Sequence, residues 1–433
     1  MRRDSRRQFL RDSAALALGS AVLCDGGIES VEAAVHRVEH TPVDKLAADE
    51  DFWFRLQQAF TVDRSLVNLN NGGISPSPRV VQDAMRRYLE FANNAPTRNL
   101  WLVQDPQVET VRRQLATVFQ CDAEEVAITR NASEALQTCQ YGFDLRPGDE
   151  ILTTELDYPR MITTFQQREC REAVKLVLAP VRVPVQSADD VVETYRRHLT
   201  PRTRLILVSH VVFVTGQINP VREICALGRE RDIPVIVDGA HAFAHIADSV
   251  APRLDCEYYG TSLHKWLTAP HGTGMLYVRR QRIAGLWPLM AAPYEKTADI
   301  RKFEEIGTHP AANKLAISEA IALHRAIGPE RKEARLRYLR DRWAKRLTQD
   351  SRVRLYTQLD PRHGAGIATF LIEGVDPQLL TEHLWDRHKI IVVSIDYANV
   401  QGVRVSPNVY TTLDEIDMFC AAVEDVLARG LPA

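Results

Sequence analysis

The chain has 433 residues, 45% of them hydrophobic and 25% charged, which is enough apolar material for a sizeable core and for two domains. That balance excludes a disordered or fibrous chain, and a formal net charge of −2 leaves no overall basic field to draw nucleic acid. The seven cysteines, Cys24, Cys121, Cys139, Cys170, Cys225, Cys256 and Cys420, are scattered without a CxxC pair, so the spacing suggests neither a zinc site nor a disulfide framework.

At the N-terminus, Arg6-Arg7 precede a modest apolar run from Ala14 to Leu23, too short to remain in a bilayer as a spanning helix. The pattern reads as a twin-arginine export signal over residues 1–34, with cleavage near Ala33-Ala34, and places the protein in the periplasm or outside the cell without stable membrane insertion. From Asp25 to Glu50 the chain reads as a polar, aperiodic linker. Residues 35–85 are expected to form an arm joining a small domain, 86–320 a large domain, and 321–433 the C-terminal small domain.

Phe52 to Phe60 has helical spacing, and Val67 to Pro76 breaks it with Gly72, Gly73 and Pro76, a shaped loop. Helices are expected over Pro78 to Ala92 and Asp105 to Phe119. Glu125 to Leu136 then reads as strand, small polar turn and helix start. Free amides at a helix N-terminus bind anions, so Asn131, Ala132 and Ser133 can hold a phosphate, although Ser133-Glu134 can also serve as a plain helix cap. The strand Ile151-Leu152 runs out into Thr153 to Pro159. Tyr158 would sit just past its carboxyl end, where an aromatic can stack on a planar ring, pass a proton, or merely pack.

Val174 to Val185 and Arg204 to His210 read as further strands with a helix between them, and Val214 to Pro220 as a turn that launches a helix over Val221 to Arg231. Pro234 to Val237 is a short apolar run ending in Asp238, as a buried parallel strand delivers a polar residue to the carboxyl edge of a sheet. His241 and His245 are spaced i, i+4, but Ala242-Phe243-Ala244 lacks the glutamate of a zinc protease motif, so no metal is expected. Tyr258 to Trp266 delivers Ser262, His264 and Lys265. An acid and an amine at neighbouring strand ends are what pyridoxal phosphate needs: a lysine to condense with its aldehyde and a carboxylate to keep the pyridine nitrogen protonated. Ser262 and His264 flank Lys265 closely enough to reach the phosphate. Beyond Pro288, two long amphipathic helices are expected from Asn313 to Leu347, and from Ser351 short strands alternate with helices. Gly402 to Tyr410 reads as a strand and turn in which Arg404 can grip a carboxylate through two parallel hydrogen bonds.

Asp238-Gly239-Ala240-His241 followed by Ser262-Leu263-His264-Lys265 resembles the class V aminotransferase group of fold-type I pyridoxal phosphate enzymes, and within it the isopenicillin-N epimerase-like branch. The resemblance runs from about Asp51 to the C-terminus. It implies an α/β fold with a mostly parallel central sheet, a smaller α+β domain, bound pyridoxal 5'-phosphate and a homodimer. It also implies that Asn71 and Gly72 face the substrate, that Tyr158 covers the cofactor, and that His241 lies near its ring. Arg404 becomes the substrate anchor, and Thr308 belongs to a turn that reaches the partner's phosphate. One departure stands out. Relatives such as cysteine desulfurases often place an Asn where Phe213 stands, to contact the ring oxygen of the cofactor, and Thr215, Gln217 or Tyr158 are the candidates to replace it.

The expected function is that of an enzyme acting at the α-carbon of an amino-acid-like substrate, as epimerase, aminotransferase or lyase, with Lys265, Asp238 and Tyr158 catalytic. Val392 to Gln401 holds no cysteine, which argues against desulfuration. The alternative is a noncatalytic exported binding protein that retains the fold. A Ser/His hydrolase is disfavoured because no GxSxG motif occurs.

Overall fold

The computed structural model describes residues 28–38 and 40–432. The twin-arginine pair, its apolar run and Cys24 lie outside the described residues. Seven strands build the central sheet: β1 (Val126–Thr129), β2 (Glu150–Thr154), β3 (Lys175–Ala179), β4 (Thr203–Ser209), β5 (Val235–Asp238), β6 (Tyr258–Ser262) and β7 (Gly274–Val278). Their order is β1-β7-β6-β5-β4-β2-β3, and only β7 runs against the others. Leu205, Ile206, Leu207 and Val208 in β4 are all 0% exposed, the continuous apolar run of a sheet covered on both faces. Because the strands are parallel, the turns at their carboxyl ends collect along one edge. That edge receives Asn131 after β1, Asp157 and Tyr158 after β2, Ser209 from β4, Asp238 from β5, and Ser262 and Lys265 from β6.

The adjacent β5 and β6 pair Asp238 with Gly260, which fixes the offset between the acid and the lysine five residues further on. Gly274, at the start of β7, lets the backbone pass under the Asn131 turn. A Cβ there would lie 2.6 Å from backbone atoms of Asn131, closer than any side chain is tolerated.

The second sheet consists of β8 (Val353–Leu355), β9 (Ala368–Ile372), β10 (Val393–Tyr397) and β11 (Val400–Val405), antiparallel in the order β10-β11-β9-β8. Trp343, Phe370 and Phe419 meet edge-on or tilted in its core, joining the sheet to the helices Pro329–Leu347 and Leu413–Arg429. The latter helix begins with a capping box, Thr412 and Glu415 each bonding the other's backbone amide. A parallel pairing of Val67–Asn68 with Ile390–Ile391 lays the N-terminal arm on this small domain.

Several sequence expectations require correction. Residues 25–50 are not an aperiodic linker throughout: Ile28–Arg37 and Val43–Ala47 are helices, packed on Ile317–Ile327 and Pro329–Leu347. Each buries only a few apolar residues, such as Val31 and Leu46, too few for the periodicity to show in sequence. Ala34, at the expected cleavage region, is 3% exposed within the first of these helices, so the boundary at 34 cuts a packed element. The strand expected over Val174 to Val185 ends at Ala179, because Pro180 and Pro184 cannot continue the ladder. The two helices expected after Asn313 are three, Ala311–Leu315, Ile317–Ile327 and Pro329–Leu347. Gly328, with φ 90, separates the last two in a backbone conformation that other residues resist.

Candidate active site

At the end of β1 the chain turns through Asn131, whose extended backbone lets its side-chain oxygen accept the Glu134 amide at 2.9 Å. Asn131 is therefore the N-cap of the helix Ala132–Gly142, and the cap expected from Ser133-Glu134 is corrected. The Glu134 carboxylate instead accepts the Arg130 amide at 2.5 Å and its guanidinium at 2.8 Å. Ser262, at the end of β6, reaches across to accept the Ala132 amide at 2.9 Å. The Ser133 hydroxyl lines the cavity without a hydrogen bond to the described residues. A helix N-terminus ringed by hydroxyls is a place for a dianion.

Asp238 is 6% exposed, and one of its oxygens accepts the Ala240 amide at 2.9 Å. Turns follow it rather than a helix, so it caps none. Burial pushes its carboxyl up to about 6, while the Ala240 amide and the Lys265 charge pull the other way. Lys265 is mostly buried, and desolvation brings its amine down to about 8 against the pull of Asp238. Its Nζ lies 3.1 Å from Nε2 of His241. Burial holds His241 neutral, well below the usual histidine range, and its Nδ1 is buried without a protein partner. Nδ1 of His264 donates to the Thr273 carbonyl at 3.1 Å, and burial brings this ring down to about 4.

These groups surround one cavity of about 190 Å³. Asn131, Ala132, Ser133, Tyr158, Asp238, His241, Ser262, His264 and Lys265 all line it. Tyr158 is 39% exposed and meets Phe213 edge-on at 5.3 Å, and Phe213 packs in turn on Tyr397 at 5.4 Å. Arg404, on β11, is buried beside this group. Its guanidinium donates to the Phe213 carbonyl at 3.1 Å and to the Asn70 side chain at 2.9 Å, and its Nε–H has no partner. Burial lowers its basicity to about 10.

Three expectations in this region are not met. Asn71 does not reach the cavity: its amide donates to the Asn68 and Ser406 carbonyls, and its oxygen accepts the Tyr410 hydroxyl at 2.7 Å. Gly72 packs against the His241 ring, where a Cβ would come 3.4 Å from Cε1, with its amide bonded to the Ser406 hydroxyl at 3.0 Å, and Gly73 rather than Gly72 lines the cavity. Thr215 and Gln217 line a separate small hollow and cannot replace an Asn at the position of Phe213. Thr308 is exposed on its turn, outside this chain's cavity; its expected contact is with the phosphate of a partner subunit.

Sequence reasoning missed Ser209 and Asp157. Asp157 is 1% exposed, and its carboxylate accepts five hydrogen bonds, from Thr153, Thr154 (amide and hydroxyl) and Ser209 (amide and hydroxyl), at 2.6–2.9 Å. It locks the turn that presents Tyr158. The signal was available, since both residues stand where an apolar strand gives way to polar residues.

The vacant Nδ1 of His241, the anion corner, the buried acid and the amine of lowered basicity fit an anionic, aldehyde-bearing pyridine, while Arg404 lies behind the cavity wall rather than lining it. Fold and site together define a pyridoxal-phosphate-dependent enzyme of fold type I. A sequence model described as aminotransferase class-V matches residues 67–419, and the chain belongs to that family, in its isopenicillin-N epimerase-like branch. The isopenicillin N epimerase of Streptomyces clavuligerus is 30% identical over 392 residues, covering 86% of this chain and 98% of that protein. A probable cysteine desulfurase of Halobacterium salinarum is 27% identical over 416 residues, covering 89% of this chain and 97% of that one. Among solved structures, the cysteine desulfurase of Thermococcus onnurineus superimposes with a TM-score of 0.75 at 22% identity, covering 86% and 97% of the two chains. A C-DES mutant with glycine covalently linked to its PLP cofactor gives 0.76 at 22% identity, covering 85% and 99%.

Proposed function

We propose that the protein acts at the α-carbon of a small amino acid, with Lys265 holding the cofactor and carrying the α-proton. The observation that carries this reading is the placement of the Lys265 amine in one cavity with Asp238 and the anion corner, 3.1 Å from His241. When bound, pyridoxal phosphate supplies an electron-withdrawing ring that acidifies the α-carbon. Asp238 supplies the negative charge that keeps the ring nitrogen protonated. An amine with its basicity brought down to about 8 is partly unprotonated near neutral pH, ready to take a proton. Tyr158, at the cavity rim, covers the cofactor and is the second candidate proton carrier. Arg404, held by Asn70 and the Phe213 carbonyl just behind Phe213 of the cavity wall, is the substrate-carboxylate anchor in this reading, its unpartnered Nε–H reached by a shift of Phe213.

Epimerisation, amino transfer and elimination all begin with that proton. The 30% identity to isopenicillin N epimerases favours inversion. Persulfide-forming desulfuration is disfavoured, because no cysteine lies between Cys256 and Cys420. No finding favours a noncatalytic binding role. Incubating the holoenzyme with an amino-acid panel in deuterated water tests the reading: at least one amino acid is expected to exchange its α-hydrogen and lose optical purity. Exchange of none contradicts it. Arg404→Met is expected to raise KM about 100-fold or less with a smaller change in kcat, the scale of one or two charged hydrogen bonds.

We also infer a homodimer and export. Exposed Trp101, Leu102, Trp287, Met290 and Tyr294 offer apolar surface for a second copy, and Arg6-Arg7 with the following apolar run support twin-arginine transport. A monomer in sedimentation, or unchanged fractionation of a variant with both arginines replaced by lysine, overturns these two inferences respectively.

A further inference from the structure

Behind Lys265 lies a buried bracket that the proposed chemistry does not use. His245 is 1% exposed and stacks on the Trp266 ring, centroids 3.8 Å apart and 29° from parallel. Its Nδ1–H donates to the His241 carbonyl at 2.8 Å, and its Nε2 accepts the Gly366 amide at 2.8 Å. Those two partners demand a neutral ring with the proton on Nδ1, and burial, which brings His245 down to about 3, keeps it neutral. Gly366 lies two residues before β9 of the small domain. A Cβ there would come within 2.8 Å of the His245 Nε2, so only glycine allows this approach.

A second tie arrives from the helix that joins the domains. Lys332, 2% exposed on Pro329–Leu347, donates through Nζ to the carbonyl of Trp266, the residue after Lys265. It has no carboxylate partner among the described residues; His245 and His324 are the titratable groups facing it, with Arg337 and Arg340 of its own helix also near His245. The small domain and its connecting helix thus hold, from behind, the carbonyl of His241 and the carbonyl of Trp266, the residue next to Lys265.

We propose that His245 is a positioning residue that couples the placement of the small domain to the geometry of Lys265 and His241, with Lys332 as the second tie. This rests on Lys265 holding the cofactor. His245→Phe keeps the stack on Trp266 and removes both hydrogen bonds, whereas Gly366→Ala disturbs the same bond from the small-domain side. Asp238, Arg404, His241 and His264, the charged or titratable groups around Lys265, stay unaltered in both variants.

The test is the pH midpoint of the cofactor's visible absorbance in purified holoenzyme, together with kcat and KM. Both variants are expected to retain the cofactor and shift the midpoint in the same direction by at least about 0.5 unit. The expected fall in kcat is about 10- to 100-fold, with little change in KM. His245→Gln, which offers a donor and an acceptor, is expected to recover most of the midpoint. The double variant His245→Phe/Gly366→Ala should shift no further than His245→Phe alone, because the bond that Gly366→Ala disturbs is one His245→Phe already removes. A lowered melting temperature with wild-type midpoint and kcat, or shifts that simply add, overturns the proposal. Should His245→Phe fail to fold, Lys332→Met decides: a midpoint shift in the same direction as Gly366→Ala supports the coupling, and an unchanged midpoint refutes it. Failure of the underlying cofactor reading looks different, since the wild-type protein would then show no borohydride-sensitive absorbance at all.

Discussion

Lys265→Ala is expected to yield a folded protein with activity reduced by at least about 10⁴-fold, the upper range for a single acid–base group before loss of cofactor attachment is counted. Folding should survive because the amine carries a penalty of its own. Burial depresses it from 10.5 to about 8, so the native state is disfavoured by that charge below pH 8, and the penalty fades as pH rises from about 8 toward 10.5. Removing the amine removes the penalty along with the chemistry. Circular dichroism and a melting curve report the fold, and single-turnover exchange of the substrate α-hydrogen reports the loss. Retention of more than a few per cent of wild-type exchange would show that another group moves the proton.

Asp238→Asn should change stability and activity in opposite directions. A buried carboxyl raised from 3.8 to about 6 binds its proton more tightly when folded, so its contribution to stability is complete below pH 3.8 and is lost as pH rises through 6. Above that window the ionised acid costs the cofactor-free protein up to about 3 kcal/mol, at 1.36 kcal/mol per unit. Asparagine keeps the shape without the charge, so cofactor-free Asp238→Asn should melt higher than wild type at pH 8, and the difference should vanish near pH 4. Holoenzyme activity should fall about 10²- to 10³-fold, the usual cost of removing one preorganised electrostatic partner. Equal melting temperatures at pH 8 would mean that the carboxylate is better solvated than its burial implies.

Much of this site was legible because the chain writes it locally. Short apolar runs that end in a polar residue, Val235–Asp238 followed by Tyr258–Ser262, announce the edge of a parallel sheet, and register then brings acid and amine together. What was not legible depends on long-range docking. Asn71 looked available in the loop, but Ser406 and Tyr410, more than 300 residues away, use up its side chain, while Asn70 takes the contact with Arg404. Thr215 and Gln217 sit in the turn after β4 that faces a different hollow, a distinction of direction that composition does not carry. Nothing in the sequence marks the role of His245 beyond its i, i+4 spacing from His241, because both of its hydrogen bonds are to backbone, one of them across 121 residues.

The most direct measurement traps the cofactor in place. Wild-type holoenzyme is treated with borohydride, digested and mapped by mass spectrometry. The expected result is a stable pyridoxyl-phosphate mass addition on the peptide containing Lys265. A protein that takes up no label, or one labelled instead at the buried Lys314 or Lys332, would contradict the assignment on which the site and its chemistry rest.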